Sequence, residues 1–180
     1  MILGILASAG GGAATAYESI ATANGTGSSH IITFSSIPST YTHLQLRYIS
    51  NSTLYSGWDV TFNSNTSANY TNHQLNGTGA AVSASGEASQ TGYHNPHYSG
   101  YATSTYSAGI MDILDYASTT KNKTIREFFG YDDNSVGNVI VGSGLWINTA
   151  AISSITITGT NSARYFTTAS QFALYGIKAA

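Results

Sequence analysis

The sequence predicts an all-β protein built as a single antiparallel β-sandwich. Apolar and polar residues alternate within short segments, as where Leu44, Leu46 and Tyr48 alternate with Gln45 and Arg47. Side chains on a strand point to opposite faces in turn, so this pattern is typical of a strand with one buried face. Clusters of turn-forming residues separate these segments, and no segment favours a helix longer than a turn or two. Roughly nine or ten such strands are typical of a sandwich or a barrel.

Short alternating segments define the strands of the first half of the chain. We predict strands over Tyr17 to Thr22, His30 to Phe34, His43 to Ser50, Trp58 to Asn63 and Tyr70 to Leu75. Asn24-Gly25 favours a tight turn after the first strand, because both residues tolerate positive φ. Pro38 lies in a connector before the third strand, since proline has no N–H to donate to a sheet ladder. The polar stretch Gly77 to Gln90 is predicted to be an exposed loop.

The second half of the chain contains the remaining predicted strands. They are Gly109 to Tyr116, Ile125 to Tyr131, two strands within Val136 to Ile157, and a closing strand over Gln171 to Ile177. The first of these also fits a helical stripe, but its neighbours rich in Ser, Thr and Gly favour a strand. In the second, Glu127 and Phe129 lie on one face, and Arg126 and Phe128 lie on the other.

The segment Val136 to Ile157 organises the predicted core. It is predicted to form two strands joined by the link Asn148-Thr149-Ala150-Ala151, which is short enough for a corner between neighbouring strands. In the second strand, Ile155 and Ile157 point to one face while polar residues point to the other. Trp58 and Trp146 are expected to be core residues, and this pair of strands to help close the core.

Composition limits the classes of function. The chain has 180 residues and only 8% charged residues, against about a quarter in a typical soluble protein. Its formal net charge of -2 provides no basic field for nucleic acid or for an anionic membrane, so neither is expected as a partner. The sequence has no Cys, which excludes a disulfide framework, a thiolate zinc site and a Cys nucleophile.

An apolar tip precedes the predicted domain. Residues 1–16 are predicted to form a docking arm, and residues 17–180 the sandwich. The run Met1 to Leu6 is far too short to span a bilayer, and it has no Lys or Arg before it, so it makes a weak secretory signal. We expect its apolar side chains to pack against a partner subunit, with a frayed end as the alternative. The predicted docking residues are Met1, Ile2, Leu3, Ile5 and Leu6.

The polar residues favour a protein without enzymatic activity. Glycoside cleavage needs two carboxyl groups held across one bond, whereas Asp112 and Asp115 are spaced to face opposite sides of a strand. His94 and His97 could reach one metal, but exposed loop histidines are the favoured interpretation. Asp132-Asp133-Asn134 offers oxygen ligands for Ca²⁺ and equally forms an ordinary turn. We therefore predict no catalytic, cofactor-binding or metal-binding residues.

Four tyrosines lie in a polar, glycine-rich region. They are Tyr93, Tyr98, Tyr101 and Tyr106. Flat aromatic faces in such a region can stack on sugar rings, or they can anchor contacts between subunits. The subunit contact is the favoured interpretation, and a host glycan is the alternative.

Several segments, in order along most of the chain, carry a family resemblance. They are Tyr17 to Thr22, Ile32 to Arg47, Phe62-Asn63 before Asn69-Tyr70, Gly144-Leu145-Trp146 leading into NTAAISSITIT, and Phe172 to Ile177. Together they resemble a family of small structural proteins of tailed bacteriophages. The resemblance implies a virion component with a jelly-roll-like β-sandwich, usually without enzymatic activity. The segment Ala80 to Tyr106 matches least.

The expected function follows from this resemblance and from the neutral, polar surface. We expect a non-enzymatic virion structural protein on the surface of the phage particle, as head decoration, cement or tail appendage. Its expected partners are other capsid or tail proteins and further copies of itself. A trimer is expected by analogy with the three-fold sites of head surfaces. The alternative is a host-surface glycan-binding module of the tail, and a hydrolase is disfavoured by the sparse carboxylates.

Overall fold

The computed structural model describes residues 16–94, 104–133 and 136–178, and over these residues the chain is all-β. The described residues form eleven strands and no helix. The strands are β1 Tyr17–Asn24, β2 Ile31–Phe34, β3 His43–Ser50, β4 Trp58–Phe62, β5 Tyr70–Gly77, β6 Val82–Gln90, β7 Ser107–Leu114, β8 Lys123–Asp132, β9 Gly137–Trp146, β10 Ile155–Gly159 and β11 Gln171–Ile177. The prediction of an all-β fold is confirmed.

The strands form two antiparallel sheets of unequal size. The large sheet has eight strands in the order β1-β11-β3-β7-β8-β9-β5-β6, and the small sheet has three in the order β2-β10-β4. Aromatic contacts join the sheets: the Tyr48 and Trp58 rings meet edge to face with centroids 4.9 Å apart, and the Phe62 and Trp146 centroids are 5.5 Å apart. The arrangement is that of a β-sandwich whose small sheet covers part of the inner face of the large one.

Alternation decides which residues enter the core. On β3, Leu44, Leu46 and Tyr48 are buried, and on β10 the same holds for Ile155 and Ile157. The sequence predicted that the three residues of β3 share one face of their strand, and that the two residues of β10 share one face of theirs. Both tryptophans are also buried, as predicted, because their rings fill the space between the two sheets.

A carboxylate lies inside this core. Glu127 on β8 is 3% exposed, and it accepts hydrogen bonds from the hydroxyl groups of Tyr48 at 3.0 Å and Tyr93 at 3.3 Å. Burial and the neighbouring carboxylate raise the pKa of Tyr48 well above its ordinary value. Tyr48 therefore remains a protonated donor, and its hydrogen bond helps to satisfy a carboxylate that would be costly to bury alone.

The predicted pairing of the two strands within Val136 to Ile157 is wrong. β9 and β10 are not neighbours: β9 lies between β8 and β5, whereas β10 lies between β2 and β4 in the other sheet. The link over residues 147–154 therefore crosses from one sheet to the other. Alternation identifies the buried face of each strand but not its neighbour, so the short link was misinterpreted as a corner within one sheet.

The predicted loop Gly77 to Gln90 is also wrong. It contains β6, which pairs with β5 at the edge of the large sheet. The first eight residues of β6 are exposed, so the strand has no buried face and shows no apolar alternation. Its backbone hydrogen bonds to β5, which any residue type except proline can form, define it as a strand.

A buried lysine ties the crossing link to the large sheet. Lys123 is fully buried, and its Nζ donates to the backbone carbonyl oxygens of Ser118 at 2.8 Å, Lys121 at 2.6 Å and Thr149 at 3.1 Å. The first two acceptors belong to the β7–β8 turn, and the third belongs to the link between β9 and β10. One ammonium group thus holds together two loops that are distant in sequence.

We expect Lys123→Met to lower the free energy of unfolding by about 2 kcal/mol, because three partly buried carbonyl groups lose a charged donor. Urea denaturation followed by tryptophan fluorescence measures the change. Lys121→Met is the matched control, since the Lys121 ammonium is exposed and pairs with Asp115 at 2.8 Å on the surface. Equal losses in the two variants would contradict the structural role of Lys123.

Candidate protein-interaction surface

Four apolar side chains form a row across the outer face of the large sheet. In the strand register, Ile110 on β7 lies opposite Phe128 on β8, Phe128 opposite Val141 on β9, and Val141 opposite Leu75 on β5. All four are exposed, and Phe128 is 57% exposed. Residues directly opposite one another share a face, so the row is continuous over four strands, about 14 Å across.

The next row along the strands widens this surface. Val139 on β9 lies opposite Gly77 on β5, and Gly77 lies opposite Val82 on β6. Val139 and Val82 are exposed, and the glycine between them adds no side chain. We call the six exposed apolar residues of the two rows the outer patch: Leu75, Val82, Ile110, Phe128, Val139 and Val141.

The outer patch arises because parts of β8 and β9 are apolar on both faces. On β8, Phe129 enters the core while the adjacent Phe128 points outward, and on β9 Ile140 enters the core between Val139 and Val141. Consecutive apolar residues on a strand with only one covered face place half of them in solvent. This local loss of alternation is the sequence feature by which the outer patch could have been recognised.

The charges beside the outer patch are paired. One row away, Arg126 Nη2 lies 2.9 Å from Asp112 Oδ2, and Gln45 Nε2 donates to Asp112 Oδ1 at 2.8 Å. At the end of the row, the Arg47 guanidinium lies over the ring of Tyr17 at 5.0 Å and over that of Tyr175 at 5.6 Å. Asp112 offsets the charge of Arg126, and Arg47 leaves one positive charge at the rim, so an apolar centre lies beside a sparsely charged edge, as in protein interfaces.

A groove adjoins the outer patch where β8 ends and β9 begins. Its volume is about 770 Å³, and its lining includes Tyr106, Phe128, Tyr131, Asp132 and Val139. The Tyr131 hydroxyl accepts a hydrogen bond from Asn138 Nδ2 at 3.0 Å. Phe128 and Val139 belong to both features, so the outer patch and the groove form one continuous surface.

The structure describes only part of the predicted contact residues. Tyr106 is half-buried and lies in the groove. The other two loop tyrosines, Tyr98 and Tyr101, lie outside the described residues. The predicted docking residues Met1, Ile2, Leu3, Ile5 and Leu6 also lie outside them, and their role stays a prediction.

The prediction that Tyr93 is a surface contact is wrong. Tyr93 is fully buried, and its backbone N–H and C=O pair with those of Val60 at the edge of β4, at 2.8 and 3.2 Å. Its ring lies where a Cβ on Gly144 would be, with the nearest ring carbon 2.3 Å from that position. The backbone pairing and the missing side chain at Gly144 together place this tyrosine in the core.

The polar residues considered for chemistry have ordinary partners. His94 Nδ1 lies 2.6 Å from Asp59 Oδ1, and Asp133 Oδ1 accepts a hydrogen bond from Thr105 Oγ1 at 2.9 Å. His97 and Asn134 lie outside the described residues. Over residues 16–94, 104–133 and 136–178, no three His, Cys, Asp or Glu side chains group as metal ligands. The same residues contain no helix of the length and hydropathy needed to cross a membrane.

The outer patch and the adjoining groove therefore form the candidate site. Both are made of side chains of this one chain. The patch offers exposed apolar side chains on a hydrogen-bonded sheet, and the groove adds two tyrosines and an aspartate. Such a surface can bind a protein. Comparison of the chain with protein-family models, curated proteins and solved structures found no match.

Proposed function

We propose that this protein is a non-enzymatic structural component of a phage virion, located on the particle surface and bound to other virion proteins through the outer patch. The observation that carries the proposal is the continuous row Ile110–Phe128–Val141–Leu75 on a sheet face that residues 16–94, 104–133 and 136–178 leave exposed. Contiguous exposed apolar surface of this kind marks interaction sites in soluble proteins. The resemblance of the chain to phage structural proteins supports the virion as the place of assembly.

The sheet suits assembly because it is rigid before binding. Phe128 and Val141 are fixed in their relative positions by the backbone ladder between β8 and β9, so few degrees of freedom are lost when a partner covers them. Each buried Å² of apolar surface contributes about 25 cal/mol, and full burial of the Phe128 ring contributes about 2 kcal/mol. Several copies on one particle would then add their weak contacts by avidity.

The N-terminal arm, residues 1–16, forms the second part of the proposed contact. Its apolar tip, Met1 to Leu6, would insert into a groove of a neighbouring virion protein and add buried apolar area. Deletion of residues 1–12 separates the two contributions. Weaker binding of the deletion variant to particles supports the arm, and unchanged binding assigns the whole contact to the outer patch.

We expect Phe128→Glu to weaken binding to particles that lack the protein by about 30-fold, because it places a charge at the centre of the outer patch. Binding of fluorescently labelled protein to such particles, followed by sedimentation, measures the affinity. Thr124→Glu is the control: Thr124 is exposed on the same face of β8, opposite Leu114 and Leu145 and outside the outer patch. Unchanged thermal unfolding of both variants shows that the fold is kept, and equal affinities would remove the outer patch from the proposal.

The location on the particle has its own test. An antibody against the purified protein, used for immunoblotting and for gold labelling in electron microscopy, is expected to label the surface of purified particles. Labelling of the head identifies decoration or cement, and labelling of the tail identifies an appendage. Particles without the protein would overturn the virion role while leaving the outer patch as an interaction surface.

A second candidate function is supported by the groove. Its volume of about 770 Å³ is in the range of ligand sites, and Tyr106, Tyr131 and Asp132 offer stacking faces and a carboxylate to a sugar. Calorimetric titration with polysaccharide from the host surface decides between the candidates. Binding that Tyr106→Ala abolishes would favour the glycan-binding module, and no heat of binding in the parent protein would exclude it.

A further inference from the structure

The last strand of the large sheet has an open side. β6 pairs with β5 on one side, and no strand of the described residues pairs with its other side. Apart from Gln90, every residue of β6 is exposed. The backbone N–H and C=O groups on the open side of such an edge strand are ready to pair with another strand.

β6 lacks the features that usually protect an edge strand from pairing. Its sequence VSASGEASQ contains no Pro and no Lys, and Glu87 is its one charged residue. The Glu87 carboxylate accepts a hydrogen bond from Asn72 Nδ2 on the neighbouring strand at 3.1 Å. The register is regular from Val82 to Glu87, and the bulge comes only after Glu87, where Ser89 has a φ of 57°. Most of the edge is therefore open and regular.

The register shows which residues offer their backbone to the open side. At the hairpin end, the backbone N–H of Thr78 donates to the Ala81 carbonyl at 3.0 Å, so these two residues form a hydrogen-bonded pair. In an antiparallel ladder, hydrogen-bonded and non-hydrogen-bonded pairs alternate. Ser83 and Ser85 therefore direct their backbone groups toward β5, and Ala84 and Gly86 direct theirs to the open side.

The sequence of β6 is nearly the same in both directions. The stretch Ser83 to Ser89 reads Ser-Ala-Ser-Gly-Glu-Ala-Ser, with Gly86 at its centre. Ala84 and Ala88 lie at equal distances from this centre, and so do the two outer serines. Only Ser85 and Glu87 differ between the two sides. A two-fold interface needs a surface that is complementary to itself. An antiparallel strand with this sequence meets that requirement when it pairs with its own copy.

We propose that two copies of this chain associate edge to edge through β6, antiparallel and with the two-fold axis at Gly86. In this register Gly86 faces Gly86 of the second copy, Ala84 faces Ala88, and Ser85 faces Glu87. The Gly86 pair is of the hydrogen-bonded kind and supplies two backbone hydrogen bonds, and the open-side N–H and C=O of Ala84 in each copy face Ala88 of the other, where the bulge begins. The proposal does not depend on the virion role.

The Ser85–Glu87 pair completes the complementarity. It is a non-hydrogen-bonded pair, in which opposite side chains are closest. Ser85 Oγ already accepts a hydrogen bond from Gln74 Nε2 at 2.9 Å, so the serine hydroxyl proton is available to donate. Its acceptor in the dimer is the Glu87 carboxylate of the second copy, so the one charged group of the strand gains a hydrogen bond when the strands pair. The two-fold axis repeats this contact on the other side of Gly86.

Cysteine cross-linking tests both the contact and its register. The chain has no Cys, so the single variants Ser85→Cys and Glu87→Cys each carry one thiol. In a mixed dimer these two residues face each other with Cα atoms about 4.5 Å apart, which suits a disulfide. In a dimer of either variant alone, the two thiol-bearing residues are offset along the strands by two positions, with Cα atoms about 8 Å apart.

Mild oxidation is expected to give a disulfide-linked dimer from the mixture and little from each variant alone. No cross-link in the mixture would overturn the proposal, and equal cross-linking by a single variant would overturn the register.

A proline at the open edge tests the backbone contribution. Ala84→Pro removes an N–H that points to the open side, a position where edge strands tolerate proline. Light scattering after gel filtration is expected to give twice 18.8 kDa for the parent chain and one chain mass for Ala84→Pro. Ala84→Thr keeps the N–H and is expected to stay dimeric. Circular dichroism and the thermal midpoint of Ala84→Pro show whether its fold is kept. A dimeric Ala84→Pro, a monomeric parent at all concentrations, or a trimeric parent would each overturn the proposal.

Discussion

Replacement of Glu127 by leucine is expected to lower the free energy of unfolding by about 3 to 5 kcal/mol, because each buried hydroxyl group left without an acceptor costs about 1 to 3 kcal/mol. The carboxylate is buried among core side chains and accepts hydrogen bonds from the hydroxyl groups of Tyr48 and Tyr93. Leucine cannot accept either bond, so two buried hydroxyl groups lose an acceptor while the strand itself is unchanged. Chemical denaturation followed by fluorescence of the buried tryptophans measures the loss.

Two further variants separate the lost hydrogen bonds from the change of shape. Glu127→Gln keeps an oxygen acceptor and is expected to cost clearly less than Glu127→Leu. Tyr48→Phe removes one donor, so its effect and that of Glu127→Leu should not add in the double variant. Additive losses would show that the tyrosine and the glutamate stabilise the core independently of each other.

Alkaline pH is expected to destabilise the protein strongly through its buried tyrosines. Burial raises the pKa of Tyr70 to about 12, against an ordinary value of 10.0. A raised tyrosine pKa favours the neutral form in the folded protein, so its contribution to stability is complete below pH 10 and is lost as the pH rises through 12. A shift of this size corresponds to about 3 kcal/mol. Tyr48, whose pKa burial and the Glu127 carboxylate also raise, adds to the loss.

Absorbance of the tyrosinate at 295 nm, recorded together with circular dichroism, measures this effect. Tyr70→Phe is the comparison: it removes the group that titrates, although it also removes the hydroxyl that accepts from the Phe62 N–H at 3.0 Å. The variant should therefore be less stable near neutral pH but lose less stability between pH 10 and 12. The same slope in both proteins would show that Tyr70 ionises freely in the folded state.

The strands with one apolar face could be predicted from the sequence. The bounds of β3 and β11 agree with the predicted His43 to Ser50 and Gln171 to Ile177, because alternation and flanking turn residues act locally. The location of β10 could not be predicted, since its partners β2 and β4 are chosen by packing between sheets. β6 was missed because its side chains are exposed on both faces, so only its backbone reveals it.

The candidate surface was harder to predict than the fold. Phe128 was assigned to the face opposite Glu127, which is correct, but the sequence did not show that the described part of the chain leaves this face exposed. That depends on the small sheet, which has only three strands and covers the other face of the large one. The prediction for Tyr93 was wrong for a related reason. Its ring packs in the space that Gly144 leaves free, and this contact joins residues that are far apart in the chain.

The order of strands in both sheets sets the time at which a newly made chain can fold. The small sheet is held together by β10, which contains residues 155–159, and β1 near the beginning of the chain pairs with β11 near its end. While the ribosome is still translating the last quarter, β2 and β4 have no central partner and β1 has no neighbour in its sheet. The native sandwich is therefore completed only once β11 has left the ribosome, and the growing chain must be kept from aggregating until then.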